Sequence, residues 1–129
     1  MKVSVTGAVR AFNLTPEKEA LLSALCRKQG LKFRMVAEEE FSQPLNVLFG
    51  FVPKSNDASD TRAFSEELLL LYNVKGSSLD KFLRALRQQN LSFPYKAVLT
   101  PSNATWTPTQ LLSELKKEHA AMEQSAEEH

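Results

Sequence analysis

The sequence has few of the residue types that build common active sites. One cysteine among 129 residues excludes an internal disulfide and a Cys-x-x-Cys redox pair. The four glycines show neither the spacing of a dinucleotide-binding loop nor that of a P-loop, which argues against a nucleotide-dependent enzyme. The two histidines, His119 and His129, lie near the C-terminal end, away from the cysteine. We therefore predict no metal, no cofactor and no catalytic residues.

Net charge and long apolar runs are also lacking. A formal net charge of +1 provides no overall field that would attract nucleic acid or an anionic membrane. No apolar run approaches the length that spans a bilayer, and the first residues do not have the pattern of a signal segment. We expect a cytoplasmic protein with no membrane partner. A hydrophobic content of 43% is enough to form a core.

The pattern of the chain predicts two successive strand–helix–strand–helix units. Residues 3–12 and the run ELLLLYNV are predicted strands, and the second is apolar enough to be central. Thr15-Pro16 and Thr107-Pro108 are typical of helix starts and Gly30 of a helix end. Ser77 or Ser78 is expected to cap the first helix of the second unit. The stretch LSALCRKQGLKF aligns with LRALRQQNLSF with one residue of slippage, which indicates an internal repeat. The predicted parts are a first repeat unit at 1–52, a linker at 53–65, a second repeat unit at 66–120 and a frayed tail at 121–129.

Two such units sharing one four-stranded sheet predict a single compact domain of the α/β (α+β) class. Two arrangements fit this pattern. In the favoured one, split βαβ units form a mostly antiparallel, ferredoxin-like sheet. In the alternative, a mostly parallel sheet has helices on both faces, which gives three layers.

The segment YKAVLTPSNATWTPTQLLSELKKEH, residues 95–119, resembles the closing motif of a bacterial family called domain of unknown function 3783. The resemblance covers about residues 66–120 and is carried most clearly by KAVLTPSNATW at 96–106. FSQPLNVLFG in the first half resembles a matching segment of such proteins. The family has no assigned activity, so the resemblance implies the architecture and leaves the chemistry open.

The loop TPSNATW is the first candidate site, with Lys96, Thr100, Asn103 and Trp106 as binding residues. A structural role is the alternative, because asparagine often bonds its own backbone in turns and a residue before a helix cap often packs on the first turns. Loops on a rigid scaffold nevertheless carry function more often than other segments do.

A basic face on the second unit's helix is the other candidate. Lys81, Arg84 and Arg87 belong to it, and Lys81 and Arg84 lie opposite the leucine stripe. Such a face could bind an acidic partner or a phosphate backbone, although helices in water routinely carry these residues.

The function predicted from these features is a small non-catalytic module that binds a protein partner or a small ligand. The alternatives are an enzyme with an unrecognised or subunit-shared site, and a weak nucleic-acid binder that uses the basic face. Cys26 lies on the apolar stripe of the first helix, so we expect it to be buried and inert.

Overall fold

A computed structural model of the chain describes residues 7–53 and 64–127, with side chains described as far as 122 at the C-terminal end. Most of the predicted linker at 53–65 and the beginning of the predicted first strand at 3–12 lie outside the described residues. The elements are β1 (Ala8–Phe12), α1 (Pro16–Lys28), β2 (Lys32–Met35), a 3-10 turn (Glu38–Glu40), α2 (Leu45–Leu48), β3 (Leu68–Tyr72), α3 (Ser77–Gln88), β4 (Tyr95–Val98) and α4 (Pro108–Glu127).

The four strands form one sheet in the order β2-β1-β3-β4. The pairs β1–β2 and β3–β4 are parallel, and the central pair β1–β3 is antiparallel. This confirms the α/β class and the single four-stranded sheet. The two most apolar strands, AVRAF and LLLLY, occupy the centre, because a central position removes both their backbone and their side chains from water.

The ferredoxin-like connection that the sequence favoured is not the one observed. In a split unit β2 would pair with β3, whereas here each strand–helix–strand unit keeps its own two strands adjacent. The reason lies in the chain between β2 and β3, since its described part contains a 3-10 turn and α2, where a split unit would have a short hairpin loop. The mostly parallel alternative holds for two of the three strand pairs and fails for the central pair.

The chain divides into two compact units, and neither is continuous in sequence. The first comprises Met1–Ala37 and Ser65–Leu99, and the second comprises Glu38–Phe64 and Thr100–His129. The repeat boundaries predicted from the sequence describe similarity along the chain, so they stay a prediction beside this division.

The core of the first unit lies between one face of the sheet and the helices α1 and α3. Leu22 and Cys26 of α1 belong to the same buried cluster as Phe82 of α3. The sheet contributes four side chains that alternate along the two central strands: Val9, Ala11, Leu69 and Leu71. Both helices therefore cover the same face, and their outer sides remain in contact with water.

The backbone turns of the two halves of this unit occur at corresponding positions. Asn13 follows β1 and Asn73 follows β3, with φ of 63° and 57°. Gly30 follows α1 and Asn90 follows α3, with φ of 71° and 56°. Left-handed backbone is tolerated by glycine and asparagine more easily than by other residues, so these positions restrict the residue type.

The helix starts agree with the sequence in two cases and differ in one. The Thr15 hydroxyl accepts the Lys18 N–H at 3.2 Å, and the Thr107 hydroxyl accepts the Gln110 N–H at 3.2 Å, so both predicted threonine caps are confirmed. The predicted serine cap of α3 is wrong, because Gly76 is the cap residue and makes no side-chain bond. Its φ of 62° is one that glycine adopts readily and serine does not.

The last helix extends further than the sequence pattern suggested. The backbone of α4 is helical as far as Glu127, within the segment 121–129 that was expected to fray. Fraying concerns motion, so that expectation stays a prediction.

Candidate binding surface

The loop at residues 100–106 is held by hydrogen bonds that start from a buried asparagine. The Asn103 side chain is 8% exposed, and its Oδ1 accepts the Thr100 N–H at 2.8 Å. The Asn103 N–H points back to Thr100, 3.2 Å from its carbonyl oxygen and 3.3 Å from its hydroxyl oxygen. The Trp106 N–H then donates to the Asn103 carbonyl at 2.9 Å. Asparagine is suited to this position because its side chain can replace a backbone acceptor within a tight turn.

The same loop also satisfies the first N–H groups of α2. The Leu45 N–H donates to the Trp106 carbonyl at 2.8 Å, and the Asn46 N–H donates to the Ala104 carbonyl at 2.9 Å. The cap residue of α2, Pro44, makes no side-chain cap bond, so the loop carbonyls take the place of a cap. These polar groups therefore have structural partners, which favours the structural role for the loop. Whether the loop also binds a ligand stays a prediction.

One polar atom beside this loop, in the side chain of Asn46, is not satisfied by the described residues. Asn46 Oδ1 is buried and has no hydrogen-bond partner among the described residues. A buried acceptor without a donor costs free energy. The Asn46 side chain is only partly buried as a whole, so this atom does not define a pocket.

Lys96, the first predicted site residue, belongs to the other compact unit and lines a groove there with Arg87. The Lys96 ammonium donates to the Phe93 carbonyl at 3.2 Å. We call this the α3–β4 groove; it has a volume of 520 Å³ and is lined by Leu83, Leu86, Arg87, Asn90, Leu91, Ser92 and Lys96. The structure thus brings together one residue of each candidate site, which the sequence had kept apart.

The other two predicted basic residues, Lys81 and Arg84, line a second groove on the opposite side of α3. We call it the α1–α3 groove; it has a volume of 380 Å³ and is lined by Leu25, Lys28, Gln29, Lys81, Arg84, Ala85, Gln88 and Gln89. Lys28 was not among the predicted site residues, because it lies on α1 and only the packing of the two helices shows it opposite α3. The predicted basic face is therefore divided between two grooves.

These groove cations differ from Lys18, a cation of the same unit that has an ion-pair partner. Lys18 Nζ lies 2.7 Å from Glu67 Oε1 and 5.2 Å from the centre of the Phe93 ring. Across the described ranges 7–53 and 64–127, Lys28, Arg84 and the other groove cations form no ion pair, and neither groove has a carboxylate in its lining. Both grooves are therefore positively charged and donor-rich.

Part of the chain matches a known protein family. Residues 67–122 match the family described as Domain of unknown function (DUF3783). The match confirms the resemblance noted from the sequence and covers β3, α3, β4 and α4 as far as residue 122. Searches of curated proteins and of solved structures gave no match.

The DUF3783 region contains every lining residue of the α3–β4 groove. It contains the α3 side of the α1–α3 groove, while Lys28 and Gln29 lie outside it. The family description assigns no activity, so function has to be argued from the chemistry of these surfaces.

Burial raises the pKa of the Cys26 thiol to about 12, which keeps it in the protonated and unreactive form near neutral pH. The part of the chain that the structure describes contains no group of three or more His, Cys, Asp or Glu residues placed to hold a metal ion. Among the same residues, the helices are too short or too polar to cross a membrane.

Proposed function

We propose that the chain is a non-catalytic interaction module that docks an acidic, partly apolar segment of a partner protein in the α3–β4 groove. The observation that carries the proposal is that two cations, Arg87 and Lys96, line the same groove as a wall of leucine side chains. Leu83 is half-buried and offers apolar surface to a ligand, while Leu86 and Leu91 are buried in the core and hold the wall in place.

The composition of the groove favours a peptide over other ligands. Leucine side chains contact apolar side chains, the two cations pair with carboxylates, and the polar groups of Asn90 and Ser92 can bond to a peptide backbone. Single-stranded nucleic acid is a poorer fit, because this groove has no aromatic side chain on which a base could stack. The net charge of +1 also provides little long-range attraction for a polyanion.

The proposal can be tested with a designed peptide and isotope-labelled protein. The probe is a short acetylated peptide of alternating glutamate and leucine, titrated while backbone amide shifts are recorded by NMR. We expect saturable shifts at residues 86–96. Arg87→Gln and Lys96→Gln should each weaken binding about tenfold, the effect of losing roughly 1.4 kcal/mol.

Two controls separate a specific groove from general charge. Lys75→Gln removes an exposed lysine of the same unit that lines neither groove, and it should leave the affinity unchanged. A peptide of alternating lysine and leucine should not bind. If Lys75→Gln weakens binding as much as Arg87→Gln does, the groove is not the site and the proposal fails.

The wider proposal includes a cytoplasmic, bacterial protein whose first compact unit arose by duplication. The burial of the unpaired Cys26 supports a reducing compartment. The left-handed positions Asn13 and Asn73, and likewise Gly30 and Asn90, support the duplication because the members of each pair lie 60 residues apart. An enzyme with an unrecognised site is the alternative, and no group described above favours it.

A further inference from the structure

The α1–α3 groove brings cations and side-chain amides from two helices to one place. Lys81 and Arg84 come from α3, and Lys28 comes from the last turn of α1. The amide-bearing side chains are Gln29, Gln88 and Gln89. Leu25 and Ala85 complete the lining, so the groups that could bind a ligand are the cations and the amides.

We propose that the α1–α3 groove is a binding site for a small, multiply charged oxyanion of the phosphate class. Three cations line it and no carboxylate does, so an anion in the groove would meet attraction from each of them. An anion with several acceptor oxygens could accept hydrogen bonds from arginine, lysine and amide groups together.

The two halves of the unit contribute unequally to this groove. Leu25 and Ala85 lie 60 positions apart in sequence, as do Lys28 and Gln88, so corresponding residues line both sides. The positions that correspond to Lys81 and Arg84 are Leu21 and Ala24, which carry no charge and do not line the groove. The positive charge is thus unequally divided, because α3 contributes Lys81 and Arg84 and α1 contributes Lys28 alone.

The position of the two helices at the groove is fixed by a direct contact. Gln29 Nε2 donates to the Lys81 carbonyl at 3.4 Å, which links the end of α1 to the second turn of α3. Beneath this contact, Leu25 and Cys26 are buried in the same cluster as Phe82 and Leu86. The helices that carry the cations are therefore held by a packed core. Binding an anion would cost the entropy of ordering side chains but not that of ordering the backbone.

The size of the groove and its donors favour a phosphate compound. A volume of 380 Å³ accommodates a pyrophosphate-sized group and not a long polymer. The arginine fork matches phosphate oxygens in a bidentate manner, and lysine binds phosphate as a point charge. The shared chemistry is that of a phosphate group, either free or as an ester.

The test uses the full chain and two probes, inorganic pyrophosphate and glycerol phosphate, at constant ionic strength maintained with sodium chloride. The NMR signals of the Arg84 Nε–H and of the glutamine side-chain amides report directly on the groove. We expect saturable shifts in at least one arm. Arg84→Gln and Lys81→Gln should each weaken binding about tenfold, while Arg87→Gln in the other groove should not.

The outcomes are distinct. Binding in either arm that depends on Arg84 and Lys81 supports the site, and the arm that binds more tightly shows whether a free or an esterified phosphate is preferred. The absence of saturable shifts in both arms overturns the proposal, as does equal weakening by Arg87→Gln. If Arg84→Gln does not fold, Lys81→Gln decides the question, because Lys81 is exposed and its side chain makes no hydrogen bond or ion pair with the residues that the structure describes. Success or failure here is independent of peptide binding in the α3–β4 groove.

Discussion

Replacing Asn103 by alanine should destabilise the protein by about 1 to 1.5 kcal/mol, the size of one lost hydrogen bond with a small loss of packing. The change removes the 2.8 Å bond from the Thr100 N–H to Asn103 Oδ1. Water can reach the freed N–H, because Thr100 is exposed, so the cost stays near the low end of the range. The backbone bond from Trp106 to the Asn103 carbonyl does not need the side chain and should persist. In a chain of 129 residues the melting temperature should fall by about 3 to 5 °C.

Urea unfolding, followed by circular dichroism and by the fluorescence of the single tryptophan, measures this effect. Trp106 lies in the loop, so its emission reports local opening separately from the loss of helix. Ser102→Ala is the matched control, because Ser102 is the exposed neighbour. A loss for Asn103→Ala no larger than that for Ser102→Ala would refute the structural role. The asparagine would then be better explained by a ligand.

Three further predictions concern the first compact unit. Lys18→Met and Glu67→Gln should each lower the free energy of unfolding by about 1 kcal/mol, because their ion pair is only partly exposed. A double-mutant cycle measured by urea unfolding should show a coupling of at least roughly 0.5 kcal/mol. Additive losses would argue against the pair. Burial raises the pKa of the Cys26 thiol from 9.0 to about 12, so stability should be complete below pH 9.0 and fall towards pH 12 by at most about 1.4 kcal/mol per pH unit. Cys26→Ala should lack this fall in unfolding measurements across that range, and an equal alkaline slope in both proteins would contradict it. Gly7→Ala should destabilise by about 1 to 3 kcal/mol in the same assay, since the added Cβ would lie 2.9 Å from a backbone carbonyl oxygen; an unchanged midpoint would show that the backbone moves aside.

The elements of the fold could be predicted because their signals are local. Threonine followed by proline marked the starts of α1 and α4, since side-chain capping depends on a few neighbouring residues. The start of α3 was predicted wrongly because its cap residue, Gly76, acts through its backbone conformation. The two serines that follow it have the side chains of typical caps and were chosen instead. LLLLY was predicted as a central strand, and its residues Leu68 to Leu71 are buried without alternation.

The order of the strands and the shape of the candidate site could not be predicted in the same way. The split and the adjacent arrangements use the same helices and the same central pair, so the pattern of elements alone does not distinguish them. The length of chain between β2 and β3 was the available signal, because a long segment removes the need for a hairpin. Lys96 and Arg87 were both predicted, but their meeting in one groove depends on how α3 lies against β4. Lys28 was missed for a similar reason, since only the packing of α1 beside α3 brings it into the same groove as Arg84.

The antiparallel pair at the centre of the sheet has a consequence for the synthesis of the chain. Ala8 pairs with Tyr72, so β1 finds its central partner only after the ribosome has made both the intervening strand and the helices around it. Until then β1 can pair with β2 alone, and its other edge stays open to unwanted strand pairing. Strands this distant in sequence also pair slowly, because the entropy of closing a long loop is lost before the stabilising contacts form. The nascent chain therefore carries an exposed strand edge from the completion of β1 at Phe12 until the completion of β3 at Tyr72, 60 residues later, and a chaperone would have the most to protect in that period.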